Sequence, residues 1–467
     1  MKRRGYFGLV LLTVLVLVAK TARWNLRNWD EAWYAEITKN MAVYGYGWIG
    51  PYWNGRYYFD QPPLYFWLSG LVVKIFGLGE WQVRMVSIVS GFVVLWLVYL
   101  LGGKLFNPRV GLWSSLIFLT LGGVVMRFAY GNLEALLIAL FLATIYLYLE
   151  SRGRWRWIVV AGVTLGLGFL VKGWLQGLLP VIFIVVWMWV TRRRLPWWQL
   201  LMMIITGAAI FGTWFGAGAL EFGEPFIDRY LFKPAAGRLG NPLDNFSLEQ
   251  FGNVARDVKW WFLPIFGLGW WQMRGALAKE DVKKLTALIA VIIGYLLALS
   301  FLDEKSGWYP LPVYPFVALV AGYVMERWWR VWPTLTTVAF LFLLALGAVN
   351  AYRVEMIYPD RSHVGVALGK YAQKIIPQGE TVVWDDHDFT AFLFYSDLGM
   401  VYVPEADGAK PGEWWILTYE EVPKLSEEKG GAWIVTPDKS RFPKGLIDRA
   451  TVVTEYRGYT FFRLEKS

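Results

Sequence analysis

The chain has 467 residues, 56% of them hydrophobic and 18% charged, with a mean hydropathy of +0.39, too little polar surface for a soluble protein of this length. It has no cysteine and only His363 and His387, both near the C-terminus; this excludes disulfides, thiolate catalysis and Cys-ligated metal sites, and it excludes histidine chemistry inside the apolar part. The net charge of +10 is carried by short segments between apolar runs, so it reads as a topology signal and no nucleic-acid partner is expected.

Apolar runs long enough to cross a bilayer recur along most of the chain. The first, about Tyr6 to Ala22, follows Lys2-Arg3-Arg4 without a small-residue cleavage site and reads as an uncleaved helix. Further spans are expected near 85–102, 110–126, 134–149, 157–171, 174–190, 198–219, 260–273, 285–302, 310–326 and 333–350, which makes about eleven. The apolar stretch Leu64 to Gly77 is shorter, contains Lys74 and reads as re-entrant or interfacial. After Asn350 the pattern changes to short alternating segments. Strands are expected at Thr381–Trp384, Met400–Val403, Trp414–Leu417 and Ala432–Val435, a hairpin at Val452–Glu455 and Tyr459–Arg463, and a helix at His363–Ile376. The fold class is therefore a polytopic α-helical membrane protein with a C-terminal extracytoplasmic α/β domain. The expected division is residues 1–350 for the membrane domain and 351–467 for the tail domain.

Alternate loops are short and rich in Arg and Lys, as at Lys104 and Arg109, Arg152 to Arg156, and Arg192 to Arg194. The positive-inside rule then places the N-terminus in the cytoplasm, and an odd span count places the tail outside, as in a multi-pass protein of the plasma (inner) membrane. Two outer loops are long, about 23–84 and 221–259. Polar residues gather on this outer face: Asp30, Glu31 and Glu36 in the first loop, Arg127 and Glu134 around a short turn, Lys172 at a span end, and Asp303, Glu304 and Lys305 before the tail. Carboxylates beside a lipid-exposed site can take a proton from a hydroxyl, and nearby cations can hold a phosphate leaving group. Taken singly, the same charges simply end helices at the headgroups.

The segment WDEAWYAE at 29–36 resembles the Asp-Glu motif in the first outer loop of the polytopic GT-C glycosyltransferases, closest to the aminoarabinose-transferase and protein-mannosyltransferase-like group. The segments GRYYFDQPPLYFWL at 55–68, Glu134-Ala-Leu-Leu, Leu-Val-Lys172-Gly followed by Pro180, FIDRY at 226–230 with Gly237-Arg238, and KSGWYPLPVYP at 305–315 resemble that family's further motifs, in family order. The resemblance implies an inverting transfer of sugar from a polyprenyl-phosphate donor to a lipid, glycan or protein hydroxyl, among membrane lipids at the outer face. It makes Asp30 the leading catalytic carboxylate and Glu134 the second acidic residue. Lys305, Tyr309, Arg84, Lys172, Arg229 and Arg238 become candidates for the donor phosphate, with Lys305 the first choice, and Glu31, Trp33, Tyr34 and Gln61 line the substrate loop. No organic cofactor is expected, and a divalent cation remains open. Gln61 and Trp33 depart from the aminoarabinose branch, which carries Lys and Arg there, so that donor is in doubt; Trp33 reads as a platform for a sugar or isoprenoid, or as a membrane-interface Trp. A transporter or flippase, with polar groups at the midplane of repeated halves, and a non-catalytic scaffold are the rival classes.

Overall fold

The structure is a computed structural model that describes residues 24–192, 197–232, 245–262, 278–302, 305–342, 345, 363–404 and 413–465. Five helices among the described residues are long and apolar enough to cross a membrane: Glu80–Leu105, Glu134–Ser151, Trp155–Lys172, Trp197–Phe222 and Lys279–Ser300. The expected first span, the span near 260–273 beyond Phe262, and the span near 333–350 beyond Phe342 apart from residue 345 lie outside the described residues. Leu64–Phe76 is a helix of 13 residues, roughly 20 Å long and too short to cross.

Small residues let these helices approach closely. A Cβ built on Gly166 would lie 2.7 Å from the Gly207 carbonyl oxygen, and one on Gly162 2.7 Å from that of Met203. The Gly162-x-x-x-Gly166 face therefore receives the backbone of the Trp197–Phe222 helix, as small residues do where helices pack in lipid. The same logic joins Glu80–Leu105 to Pro108–Phe118, where a Cβ on Gly102 would lie 2.6 Å from Gly111 Cα.

One expected span is interrupted and the next begins at a sharp break, both near Asp30 and Glu134. The run at 110–126 divides into Pro108–Phe118 and Val124–Ala129, with Gly123 at φ 76° between them. The second piece carries Arg127. The helix Trp155–Lys172 ends at Gly173, whose φ of 86° suits glycine, and the expected span at 174–190 follows as Trp174–Gly177 and Leu179–Val190.

The tail folds as a six-stranded mixed sheet. Its strands are β3 (Thr381–Trp384), β4 (Met400–Pro404), β5 (Ile416–Leu417), β6 (Gly431–Thr436), β7 (Thr451–Tyr456) and β8 (Tyr459–Glu465); β1 (Tyr52–Trp53) and β2 (Arg56–Tyr57) form a separate hairpin in the first outer loop. The order is β5-β4-β3-β6-β8-β7, with β5, β4, β3 and β6 parallel and β8 antiparallel to β6 and β7. The parallel strands are apolar nearly throughout, as strands covered on both faces must be. Helix His363–Ile375 and the short helix Phe389–Ser396, which periodicity does not reveal, pack on one another beside the sheet.

The long loop between the expected first span and the helix Glu80–Leu105 docks on the tail. Asn54 mimics a strand partner: its Nδ2 donates to the Val401 carbonyl at 2.7 Å and its Oδ1 accepts from the Val401 N–H at 2.8 Å. Trp33 stacks on Trp53 with ring centroids 4.1 Å apart, and both meet Trp415 edge-on. Lys39 is buried between Glu36 at 2.6 Å and Asp397 at 2.9 Å. The expectation that Trp33 meets a sugar, an isoprenoid or the membrane interface is thus corrected: Trp53 of the same loop stacks on its face and Trp415 of the tail meets it edge-on.

Candidate active site

Asp30 opens the helix Asp30–Ala42, and its carboxylate stands 3.8 Å from the guanidinium of Arg127. Among the described residues no side chain donates it a hydrogen bond, and 37% of its side chain is open. The carboxyl is nevertheless densely surrounded. Burial first, then the nearby Glu134, push its pKa up to about 6, against the pull of Arg127 and Lys172. A carboxylate that is reachable, unbonded and raised toward neutrality can accept a proton.

Glu134 begins the helix Glu134–Ser151, and its Oε1 accepts from Lys172 Nζ at 2.7 Å. Its Oε2 is buried without a hydrogen-bond partner among the described residues. Asn132 supports this end of the helix: its Oδ1 accepts from the Glu134 N–H at 3.1 Å, and its own N–H donates to Ser87 Oγ at 3.0 Å. Lys172 Nζ also lies 5.8 Å from the centre of the Tyr309 ring. Arg127 stacks over Trp308 at 4.0 Å. Burial first, then the nearby carboxylates of Asp30, Glu134 and Asp60, raise the pKa of the Tyr34 hydroxyl well above the usual range. The structure therefore brings Asp30, Glu134, Lys172, Tyr309 and Tyr34 together.

Other candidates are placed elsewhere. Arg84 is fully buried: Nε donates to Glu31 Oε1 at 2.6 Å, Nη2 to Glu31 Oε2 and the Asn25 carbonyl at 3.0 Å each, and Nη1 to the Trp24 carbonyl at 2.8 Å. Glu31 further accepts from the backbone N–H of Arg27 at 2.7 Å and of Gly131 at 2.9 Å. The phosphate role expected of Arg84 and the substrate-loop role of Glu31 are corrected accordingly. Their charges are spent on each other and on backbone, tying the first outer loop to the turn before Glu134. Arg229 binds Asp60 at 2.9 Å and the Phe59 carbonyl at 2.7 Å; Gln61 donates to Asp60 at 3.1 Å. Lys305 donates to the Asn245 carbonyl at 2.6 Å, which turns it toward the second outer loop, and Arg238 lies outside the described residues.

Sequence reasoning passed over two residues as site candidates. Arg127 was visible as an outer-turn charge, but only the helix break at Gly123 shows that it faces Asp30. Asp60 stands within the FDQPPL segment, and its pairing with Arg229 crosses 169 residues.

A family model described as dolichyl-phosphate-mannose-protein mannosyltransferase matches residues 60–214. An undecaprenyl phosphate-α-4-amino-4-deoxy-L-arabinose arabinosyl transferase of Pseudomonas fluorescens is 28% identical over 69% of this chain and 58% of its own length. One of Pseudomonas paraeruginosa is 31% identical over 70% and 61%. The chain thus spans about three fifths of the curated relatives it matches. In fold, it is similar to ArnT from Cupriavidus metallidurans bound to undecaprenyl phosphate, with a TM-score of 0.77 at 19% identity over 99% of this chain and 98% of that one. It is also similar to the Archaeoglobus fulgidus oligosaccharyltransferase, with a TM-score of 0.54 at 13% identity over 84% and 62%. By sequence the chain is similar to these lipid-linked-sugar transferases, and in architecture it is a multi-pass membrane protein with the fold of the solved ArnT.

Proposed function

We propose that the protein is a glycosyltransferase that moves a sugar from a polyprenyl-phosphate donor, undecaprenyl phosphate by analogy with its relatives, to a hydroxyl acceptor at the outer face of the membrane. The observation that carries this reading is the reachable Asp30 carboxylate beside Arg127, within the field of the Lys172–Glu134 pair. Asp30 takes the acceptor's proton as the acceptor oxygen bonds to the anomeric carbon. The bond from that carbon to the phosphate oxygen breaks with its electrons remaining on the phosphate, and the sugar inverts. Lys172, with Tyr309 beside it, and Arg127 supply the positive charge and hydrogen bonds that the departing phosphate needs. Residues 1–350 would carry this chemistry, and residues 351–467 would form an extracytoplasmic domain.

Incubating purified protein with a panel of polyprenyl-phosphate sugars tests the reading: one donor should release its polyprenyl phosphate and glycosylate an acceptor. Neither binding nor turnover of any donor would end it. Lys172 is the discriminating position. Because removing Lys172 alone would strand Glu134 as a buried charge, the double variant Lys172→Met/Glu134→Gln is compared with Glu134→Gln. Loss of the ammonium should weaken donor use roughly ten- to hundredfold, the scale of one charge-assisted hydrogen bond. Equal kinetics in the two variants would remove Lys172 from the phosphate.

The proposed orientation has a separate check. Protease added to sealed, right-side-out cells should cleave the tail while the short Arg-rich loops stay protected. A protected tail would reverse the topology.

A further inference from the structure

Asp30 is preceded by a distorted residue. Trp29 has φ 65° and ψ −127°, a combination that residues other than glycine rarely adopt and that persists only when its surroundings enforce it. The enforcing groups come from the tail. The Trp29 N–H donates to Thr390 Oγ1 at 2.6 Å, and the Thr390 hydroxyl lies 2.8 Å from Asn28 Oδ1, to which it donates. Asn28 Oδ1 also accepts from the backbone N–H groups of Thr390 at 3.0 Å and Ala391 at 3.2 Å. Its Nδ2 donates to the His387 carbonyl at 2.6 Å. Asn28 thereby caps the helix Phe389–Ser396 from another part of the chain, since that helix's own residue Asp388 makes no side-chain cap. Tyr395, on the same helix, accepts from the Leu26 N–H at 2.9 Å and donates to Glu80 at 2.9 Å. Thr390 is fully buried.

We infer that the tail domain sets the position of the proposed base: Thr390 and Asn28 are positioning residues that hold Trp29 in its distorted backbone conformation and so aim Asp30 into the site. This rests on the catalytic reading of Asp30 given above. The reasoning is geometric. Asp30 is the first residue of its helix, so its carboxylate direction follows the Trp29 torsions, and those torsions are held by a hydrogen bond 361 residues away in sequence. A shift of about 1 Å at a reacting group is enough to cost about 10²-fold in rate.

The test uses the full chain with Thr390→Val, which keeps the shape and removes the hydroxyl, and Thr390→Ser, which restores it. In Thr390→Val, amide hydrogen exchange in the segment 27–34 should quicken at least tenfold, while exchange in the tail strands stays as in the native protein. Its kcat should fall about ten- to hundredfold at unchanged donor KM, and Thr390→Ser should recover both. If Thr390→Val does not fold, Asn28→Ala, at a partly exposed position, takes its place: it removes the loop's bonds to Thr390, Ala391 and His387, the other half of the same support. Unchanged exchange around Asp30, or quickened exchange with native kcat, overturns the inference, the second outcome leaving Thr390 a merely structural residue. A native protein inert toward every donor would sink the proposed function instead, and the exchange result alone would then decide whether the tail holds the Trp29–Asp30 peptide.

Discussion

Asp30→Asn should fold normally and lose about 10²-fold or more of its transfer rate, the scale of general acid–base catalysis. The amide keeps the size of the carboxyl but cannot take a proton. Glu134→Gln should lose less, because Glu134 is already paired with Lys172. The pH profile adds an internal check. Asp30 is the active base only when ionised, and burial, reinforced by Glu134, sets its pKa at about 6. The rate at limiting substrate should therefore rise with pH through about 6 and level off above it. Arg127 and Lys172 hold that pKa down, so Arg127→Met should move the rising limb to higher pH; Glu134→Gln, which removes a raising charge, should move it lower. Near-native turnover in Asp30→Asn, or a limb that ignores both neighbours, would remove Asp30 from the role of base.

The second large effect is on stability. Arg84→Met should destabilise the protein by roughly 3–5 kcal/mol, because Glu31 would be left as a buried, unpaired carboxylate. The Trp24 and Asn25 carbonyls would lose their donors in the same substitution. The double variant Arg84→Met/Glu31→Gln should recover much of the loss, since no charge is then stranded. Thermal unfolding in detergent distinguishes the cases. An Arg84→Met protein as stable as the native one, with weakened donor binding, would return Arg84 to the phosphate.

Membrane character, the positions of the long apolar helices and the strand pattern of the tail are legible in the residues because each depends on local chemistry. A bilayer selects runs of apolar residues wherever they occur, and strand periodicity is read over a few neighbours. The grouping of Asp30 with Glu134, Lys172 and Tyr309 was legible through the ordered motifs. The partners of other polar groups were not. Arg84 is separated by 53 residues from Glu31, Arg229 by 169 from Asp60, and Trp29 by 361 from Thr390. Nothing in the run around Arg84 distinguishes an arginine that neutralises a buried glutamate from one that waits for a phosphate. Likewise, nothing near Trp33 announces that Trp53 and Trp415 will cover it.

The sequence by itself determined that the chain enters the membrane, where the five long helices among the described residues run and that an α/β tail follows, because hydrophobic partition and strand alternation are properties of contiguous residues. Which charges face the site and which hold the loops together was decided only by the tertiary structure. Helix breaks at Gly123 and Gly173 aim Arg127 and Lys172, and the docked tail sets the backbone before Asp30. Those outcomes depend on which distant segments meet, and the desolvation and pairing energies that separate a structural ion pair from an available one exist only once they have met.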